Sequence, residues 1–343
     1  MLHSAIPLPL LALGVLLSPG ALWAQDKPAA APPKTAIGER MPDLTFREFL
    51  SGDDGRSQLA EFRGQPVLIV NWTDTDFGLG AANQVKKLAA DLASDGLVTI
   101  LMDSHNKKEE EIRASGMRLF PGSPARLMRT QNLPIAYLDN GPPPDVALIG
   151  VDGTLLLAGS YTIDLSKAEK LVKAELKKLK SGWGEHEAAR AARALAFGQQ
   201  KLTAARAAIA EALAAEPGAA ELGEVRSEIE TRFASWDGSV QQLMERGHFL
   251  RAQESARALA EAVGGDAEWE AQAAVRLAAF EQPEAVKELE LDRKLTVLLG
   301  PLEKRKPNEG DVSKLRKLAD GAGDSRVGAR AARLAEIAEL AAR

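Results

Sequence analysis

The sequence contains no cysteine in its 343 residues. Disulfide bonds, thiol nucleophiles and zinc–thiolate sites are therefore excluded, because each of them requires a cysteine sulfur. Attachment of a lipid to an N-terminal cysteine is excluded for the same reason.

Aromatic residues and excess positive charge are also scarce. Aromatic residues make up 5% of the chain, and the formal net charge is −5. Lysine and arginine are interspersed with aspartate and glutamate, so no basic stripe marks a nucleic-acid surface. Few aromatic rings are available to stack on bases. We therefore expect no nucleic-acid partner.

Long apolar runs are absent except at the N-terminus. Residues 6–17 are apolar, Ser18-Pro19-Gly20 then breaks the run, and small residues follow as far as Ala24. This pattern predicts a signal peptide over residues 1–24, exporting the chain across the inner membrane to the periplasm. An uncleaved anchor is the alternative, but the run is short of the roughly 20 residues that span a bilayer. No transmembrane anchor is expected after cleavage.

The rest of the chain divides by composition into a linker and two domains. Residues 25–37 are rich in proline and alanine and predict an extended, disordered linker. Residues 38–182 predict an α/β domain, a mixed sheet with helices on both faces, from the order β-α-β-α, β-hairpin, α. The predicted elements are an edge strand (43–50), a turn at 51–55, strands at 66–72, 97–104 and 134–139, helices at 79–92, 106–117 and 164–180, and a hairpin turning at Asp152-Gly153.

Residues 185–343 read as a second, all-α domain that begins after the boundary "SGWG" (181–184). Alanine, leucine, glutamate and arginine recur there at helical spacing. Small residues near Ala205 and Ala252 resemble those of tetratricopeptide helices, so we predict a degenerate helical repeat or a bundle of six or seven helices. The predicted breaks fall near Pro217-Gly218, Asp237-Gly238, Gly264-Gly265, Pro283, Gly300-Pro301, Pro307 and Gly321.

Four features of residues 38–180 carry a resemblance to a known family. They are "IGERMPDLTF" leading a hairpin, "FRGQPVLIVNW" as a central strand, "PDVALIGVDGTLLLAG" as a later hairpin, and a closing helix. Together they resemble the thioredoxin-like redoxins, in the branch of TlpA-type exported oxidoreductases and of the alkyl hydroperoxide reductase and thiol-specific antioxidant group. Trp72 occupies the family's tryptophan position. The resemblance implies a thioredoxin-like fold.

The residues that perform the family's chemistry are missing from this chain. By the resemblance, Asp76 stands at the attacking cysteine, Leu79 at the resolving cysteine, and Pro144 at the family's cis-proline. A redoxin needs a thiolate at a helix N-terminus and a second thiol to release the mixed disulfide. Asp76 retains a negative charge that could cap the helix, but neither it nor Leu79 can form a disulfide. We therefore expect no thiol oxidoreductase or peroxidase activity.

Two features of the turn "NWTDTDFGLG" (71–80) are each open to two interpretations. Trp72, Thr73, Asp74, Phe77 and Pro144 could line a groove for an extended peptide, or the aromatic residues could only pack the turn. Asp74 and Asp76 could form a carboxylate pair for acid–base or metal chemistry, or belong to a polar turn with one helix cap.

No cofactor or metal site is expected from the sequence. His105, His186 and His248 stand apart from one another without a metal-ligand spacing, and the turn containing Asp53 and Asp54 lacks the spacing of a calcium loop. We therefore predict a binding or scaffold protein whose partner is another exported or envelope protein. An enzyme with non-thiol chemistry at Asp74 and Asp76 is the alternative.

Overall fold

The structure, a computed structural model, describes residues 34–52, 54–73, 76–137 and 144–343, without the side chains of residues 76–79 and 161–163. The predicted signal peptide (1–24) and most of the predicted linker (25–37) lie outside the described residues. Thr35 is already bonded to the sheet region, because its N–H donates to the carbonyl oxygen of Pro134 at 2.7 Å and its own carbonyl accepts from Ala136 at 2.8 Å. The end of the predicted linker is therefore part of the fold.

The sheet is mixed, as the sequence predicts. Its strands are β1 (Phe49–Ser51), β2 (Val67–Trp72), β3 (Val98–Asp103), β4 (Arg126–Met128), β5 (Val146–Ile149) and β6 (Leu155–Gly159). They lie in the order β1-β4-β3-β2-β5-β6. The inner strands β4, β3 and β2 are parallel, while β1 pairs antiparallel with β4, β5 with β2, and β6 with β5. Every residue of β2 and β3 is buried, which is typical of strands covered on both faces.

Three helices flank the sheet: α1 (Asp76–Leu92), α2 (Glu109–Leu119) and α3 (Tyr161–Ser181). Val85, Ile112 and Val172, one from each helix, join the same buried cluster as Leu68 of β2. The sequence predicted helices on both faces. Instead, the opposite face is covered by the segment before β2, whose side chains pack in a separate cluster that includes Phe46, Phe49, Phe62 and Ile69.

One predicted strand was wrong and one strand was missed. The sequence analysis placed no strand or helix over residues 118–133 and a strand over 134–139. The first segment contains β4, which pairs in parallel with β3. In the second, Ile135 makes only an isolated bridge with Thr35, and residues 138–139 lie outside the described part. β4 has only three residues, which is too few to show the alternation that identifies a strand. Pairing with the rest of the sheet therefore determines which of the two segments forms a strand.

Eight α-helices follow α3. They are α4 (Glu187–Arg193), α5 (Leu202–Ala215), α6 (Ala220–Glu245), α7 (Phe249–Ala262), α8 (Ala267–Ala279), α9 (Pro283–Leu299), α10 (Glu309–Ala322) and α11 (Arg326–Ala342), with a π turn at Ala194–Gly198 and a 3-10 turn at Gly300–Glu303. The helical region is thus confirmed, with more helices than the six or seven predicted. None of the helices among the described residues combines the length and apolar character that crossing a membrane requires.

The predicted break at Asp237-Gly238 is wrong, because α6 continues through it. Asp237 accepts two hydrogen bonds of 2.6 Å from Arg276 of α8, which fixes this part of α6 against its neighbour. The chain turns instead at Gly247, between α6 and α7. Gly247 has φ +76°, and a Cβ there would lie 2.7 Å from the carbonyl oxygen of Arg326, so the turn requires glycine.

The sheet region and the helical region share one core. A single buried cluster runs from β2, α1 and α3 into helices α4 to α8. Trp183, inside the predicted boundary 181–184, is only 5% exposed, and its ring centroid lies 5.3 Å from that of Phe197. A Cβ on Gly64, in the sheet region, would lie 2.4 Å from the Phe197 ring. Residues Lys34–Arg343 accordingly form one compact unit.

Candidate functional site

The turn "NWTDTDFGLG" joins a strand to a helix, as the sequence predicts. β2 ends at Trp72 and α1 begins at Asp76. Asp76 and Leu79 both lie in the first turn of α1, where the helix dipole favours negative charge. Asp74 lies outside the described residues, as do the side chains of Asp76, Phe77 and Leu79. The backbone therefore places the two positions that the resemblance aligns with the family's cysteines at a helix N-terminus.

Trp72 is a core residue in this structure. Its side chain is 0% exposed, and its ring meets that of Phe120 edge-to-face at 5.2 Å. Its indole Nε1 is buried without a hydrogen-bond partner. Lys107 lies above the ring, with Nζ 5.8 Å from the centroid. This environment matches the packing interpretation of Trp72.

Pro144 lies beside the end of β2. It is buried, and its carbonyl oxygen accepts a hydrogen bond of 2.6 Å from Nδ2 of Asn71. The Asn71 N–H donates to the carbonyl oxygen of Asp145 at 2.8 Å. These bonds attach the start of β5 to the residue preceding Trp72. Of the predicted groove, Trp72, Thr73 and Pro144 are thus brought to one end of β2.

The sequence analysis missed a buried carboxylate at the same edge of the sheet. Asp103 ends β3 directly opposite Trp72 and is 0% exposed. Its Oδ2 accepts from the N–H groups of His105 at 3.2 Å and Lys107 at 2.9 Å, while its Oδ1 has no hydrogen-bond partner. The hydrogen bonds to Oδ2 hold the loop after β3 in place. Oδ1 is a buried acceptor beside Trp72.

A second missed feature is the pairing of Asp54 with two arginines. Its carboxylate accepts from Arg56 at 2.6 and 2.9 Å and from Arg126 at 2.6 and 2.7 Å. Burial alone would raise the pKa of Asp54, but the charges and hydrogen bonds of the two arginines outweigh it and hold the pKa well below its usual range. Arg126 is distant in sequence, so no local spacing could reveal this pair.

Helix α6 faces this charged cluster from the other side. The Ser239 hydroxyl donates to the Asp54 carbonyl oxygen. Arg232 lines a cavity of about 350 Å³ together with Asp54 and Arg56, and its Nε is buried without a hydrogen-bond partner. Burial, followed by the charge of Arg56, lowers the pKa of Arg232 to about 10. The segment predicted only as a turn is therefore a contact between the sheet region and the helical region.

The described residues hold no cluster of three or more histidine, aspartate or glutamate side chains that could bind a metal ion.

No protein-family model matches this sequence, and no curated protein is significantly similar to it.

Proposed function

We propose that this chain is an exported, redox-inactive protein with a thioredoxin-like sheet region, and that it acts as a binding or scaffold module. One observation carries the proposal. Strand β2 ends at Trp72 and helix α1 begins at Asp76, and the chain contains no cysteine to place at this junction. The binding surface is the end of β2 near Thr73 and Pro144, the helical region, or both. The partner is an exported or envelope protein.

The sheet topology supports the thioredoxin-like part of this proposal. The strand that leads into the turn is an inner strand, an antiparallel hairpin adjoins it, and α3 closes the region. This is the arrangement that the resemblance implies. Fold alone does not carry function, so the redox part of the proposal rests on the absence of cysteine from the sequence.

The double substitution Asp76→Cys/Leu79→Cys tests whether the junction is a redoxin scaffold. A thiol in the first turn of a helix has a lowered pKa, so we expect this variant to form a reversible intramolecular disulfide and to reduce insulin above background. The wild-type protein should show neither insulin reduction nor peroxide consumption.

Lys167→Cys/Lys170→Cys is the matched control for this test. Both lysines are exposed in the interior of α3 with the same spacing, but without a helix N-terminus. If the pair at 76 and 79 behaves like this control, the thioredoxin-like proposal fails. Turnover by the wild-type protein would refute redox inactivity.

Capture from an envelope extract tests the binding role. The full-length protein is used as bait beside Thr73→Arg and Thr296→Arg. Thr73 is half-buried next to the turn, whereas Thr296 is exposed on α9. A groove partner should be recovered with the wild type and Thr296→Arg and lost with Thr73→Arg. Recovery with all three baits would assign binding to the helical region, and enrichment no greater than with an unrelated bait would reject a binding role.

A further inference from the structure

A cavity of about 520 Å³ lies between the sheet region and the helical region. The segment around β1 and Arg113 of α2 form one wall. The other wall comes from the end of α6, the start of α7 and α11. The volume falls in the range of small-molecule sites. This cavity is separate from the β2–α1 turn, and neither the resemblance nor the proposed function accounts for it.

Arginine dominates the lining of this cavity, which we call the arginine cavity. Six arginines and two glutamates contribute to it: Arg113, Arg246, Arg251, Arg326, Arg330, Arg333, Glu48 and Glu245. The chain as a whole has a net charge of −5, so the concentration of positive charge is local. Neighbouring guanidinium groups repel one another, and the repulsion grows as solvent is excluded.

Carboxylates next to the cavity offset part of this charge. Asp292 accepts from Arg330 at 2.9 Å. Glu109 accepts from Arg113 at 2.8 Å and also pairs with Arg333. Asp54, Glu254 and Asp292 also act on Arg251, so the carboxylates around the cavity are not limited to the two glutamates of its lining. Within the lining itself, the six arginines outnumber the two glutamates.

The pKa values of two arginines in the cavity, Arg251 and Arg330, reflect their burial and the charges around them. Burial lowers the pKa of both Arg251 and Arg330 below the usual value of arginine. Asp54 acts in the opposite direction on Arg251, as Asp292 does on Arg330, while Arg126 lowers the pKa of Arg251 and Arg251 lowers that of Arg330. These groups stay protonated at neutral pH because the usual pKa is so high. An anion bound between them would relieve this repulsion.

His248 is an independent sign that the arginine cavity can accept a ligand. It lines the arginine cavity, and its Nδ1 is buried without a hydrogen-bond partner. Burial, followed by the charges of Arg330, Arg251 and Arg246, lowers the pKa of His248 to about 3. The imidazole is therefore neutral at pH 7, and a neutral imidazole can donate one N–H to an anion. A buried polar atom without a partner is unusual unless something else occupies the site.

We propose that the arginine cavity binds a phosphate group. A phosphate monoester carries close to two negative charges at neutral pH and presents three strongly accepting oxygens. Guanidinium groups match these oxygens as two-pronged donors. A single carboxylate would bring one charge and two oxygens to a site built from six arginines.

A second, apolar cavity adjoins the arginine cavity. The phosphate could therefore belong either to a phospholipid or to a soluble compound. It measures about 290 Å³ and shares Leu50, Arg113 and Ile337 with the arginine cavity. Its own lining includes Phe120 and Leu302. A phospholipid headgroup could place its phosphate among the arginines and its chain against this apolar wall. A soluble phosphate compound would use the arginine cavity alone.

The test measures phosphate binding by the full-length protein at constant ionic strength, because salt screens surface charge. One arm titrates inorganic phosphate and pyrophosphate by calorimetry. The other measures co-sedimentation with phosphatidylcholine vesicles, with and without phosphatidic acid. The cavity variant is Arg251→Gln/Arg326→Gln, and the control is Arg226→Gln/Arg293→Gln. The control removes the same charge at two exposed positions outside the cavity lining.

We expect saturable binding in at least one arm, weakened about tenfold or more by the cavity variant and less than about twofold by the control. Binding of soluble phosphate identifies a small-molecule ligand, and binding only to phosphatidic acid vesicles identifies a lipid headgroup. Absence of saturable binding in both arms, or equal affinities of the two variants, would overturn the proposal.

Thermal unfolding establishes that each variant is folded. If the cavity variant is not, Arg326→Gln replaces it, because Arg326 is exposed and its loss leaves the core intact. Neither arm involves the β2–α1 turn, so the result is independent of the proposed function.

Discussion

Asp54 is the carboxylate between two guanidinium groups, and the rings of Phe49 and Phe62 pack beneath the pair. Arg126 lies 5.2 and 5.0 Å above these rings, and Arg56 lies 4.5 Å above Phe62. Asp54→Asn removes the carboxylate that pairs with both arginines. Removing one member of a buried pair costs about 3–5 kcal/mol, so we expect urea unfolding to show a loss of this size.

The matched control for Asp54→Asn is Asp95→Asn. Asp95 pairs with Lys180 at 3.0 Å, but both side chains are largely exposed. Exposed pairs contribute at most about 1 kcal/mol, so this variant should unfold nearly as the wild type does. If the two variants lose the same free energy of unfolding, the buried cluster is not what stabilises this contact.

His248 predicts an acid-side loss of stability. Its pKa is lowered to about 3 in the folded protein, first by burial and then by Arg330, Arg251 and Arg246. Between pH 6.5 and 3 the unfolded chain therefore binds a proton that the folded chain excludes. The contribution is complete above pH 6.5 and is lost as the pH falls. From pH 7 to pH 5, the wild type should lose about 2 kcal/mol more than His248→Gln in urea unfolding. Equal losses would show that His248 titrates normally in the fold.

The helical region contains glycines of two kinds. Gly238 lies inside α6, and a Cβ there would meet no atom within 4 Å. Gly238→Ala should therefore stabilise the protein by about 0.5–1 kcal/mol, because alanine favours the helix and glycine does not. Gly247→Ala should destabilise it, because φ is +76° and the carbonyl oxygen of Arg326 lies 2.7 Å away from the added Cβ. Thermal unfolding checks both, and stabilisation by Gly247→Ala would contradict the turn geometry.

The sequence predicts the elements that depend on local pattern and not those that depend on tertiary contacts. Regular spacing predicted β2, β3, the Asp152-Gly153 hairpin and most helix breaks, because each depends on local pattern. The break at Asp237-Gly238 was wrong since a contact with Arg276 holds that part of α6. β4 was missed since only its pairing with β3 makes it a strand.

The candidate site was predicted unevenly for the same reason. The strand–turn–helix junction follows from local spacing. Asp103 lies beside Trp72 only because β2 and β3 pair in register. The arginine cavity brings together residues from β1, α2, α7 and α11, and charge composition averaged over the chain conceals such a cluster.

At the scale of the whole molecule, the two predicted regions depend on each other. Phe197 packs on Trp183 and against Gly64, and the buried cluster continues on both sides of this contact. Elsewhere, Ala114 of α2 joins a buried cluster with Ile337 and Ala341 of α11. Neither region can expose its side of these contacts without losing part of its core, so the helices complete the sheet region.

This shared core predicts a single unfolding transition. Hydrogen exchange in increasing urea should release the amides of β2 and β3 together with those of α6, because the same cluster supports all three. Phe197→Ala should cost about 3–5 kcal/mol and lower the protection of the strands and the helices equally. Phe280→Ala, in the cluster formed by the later helices, provides a core truncation remote from Phe197. Selective loss of protection in the helices alone for Phe197→Ala would show that the sheet region folds by itself.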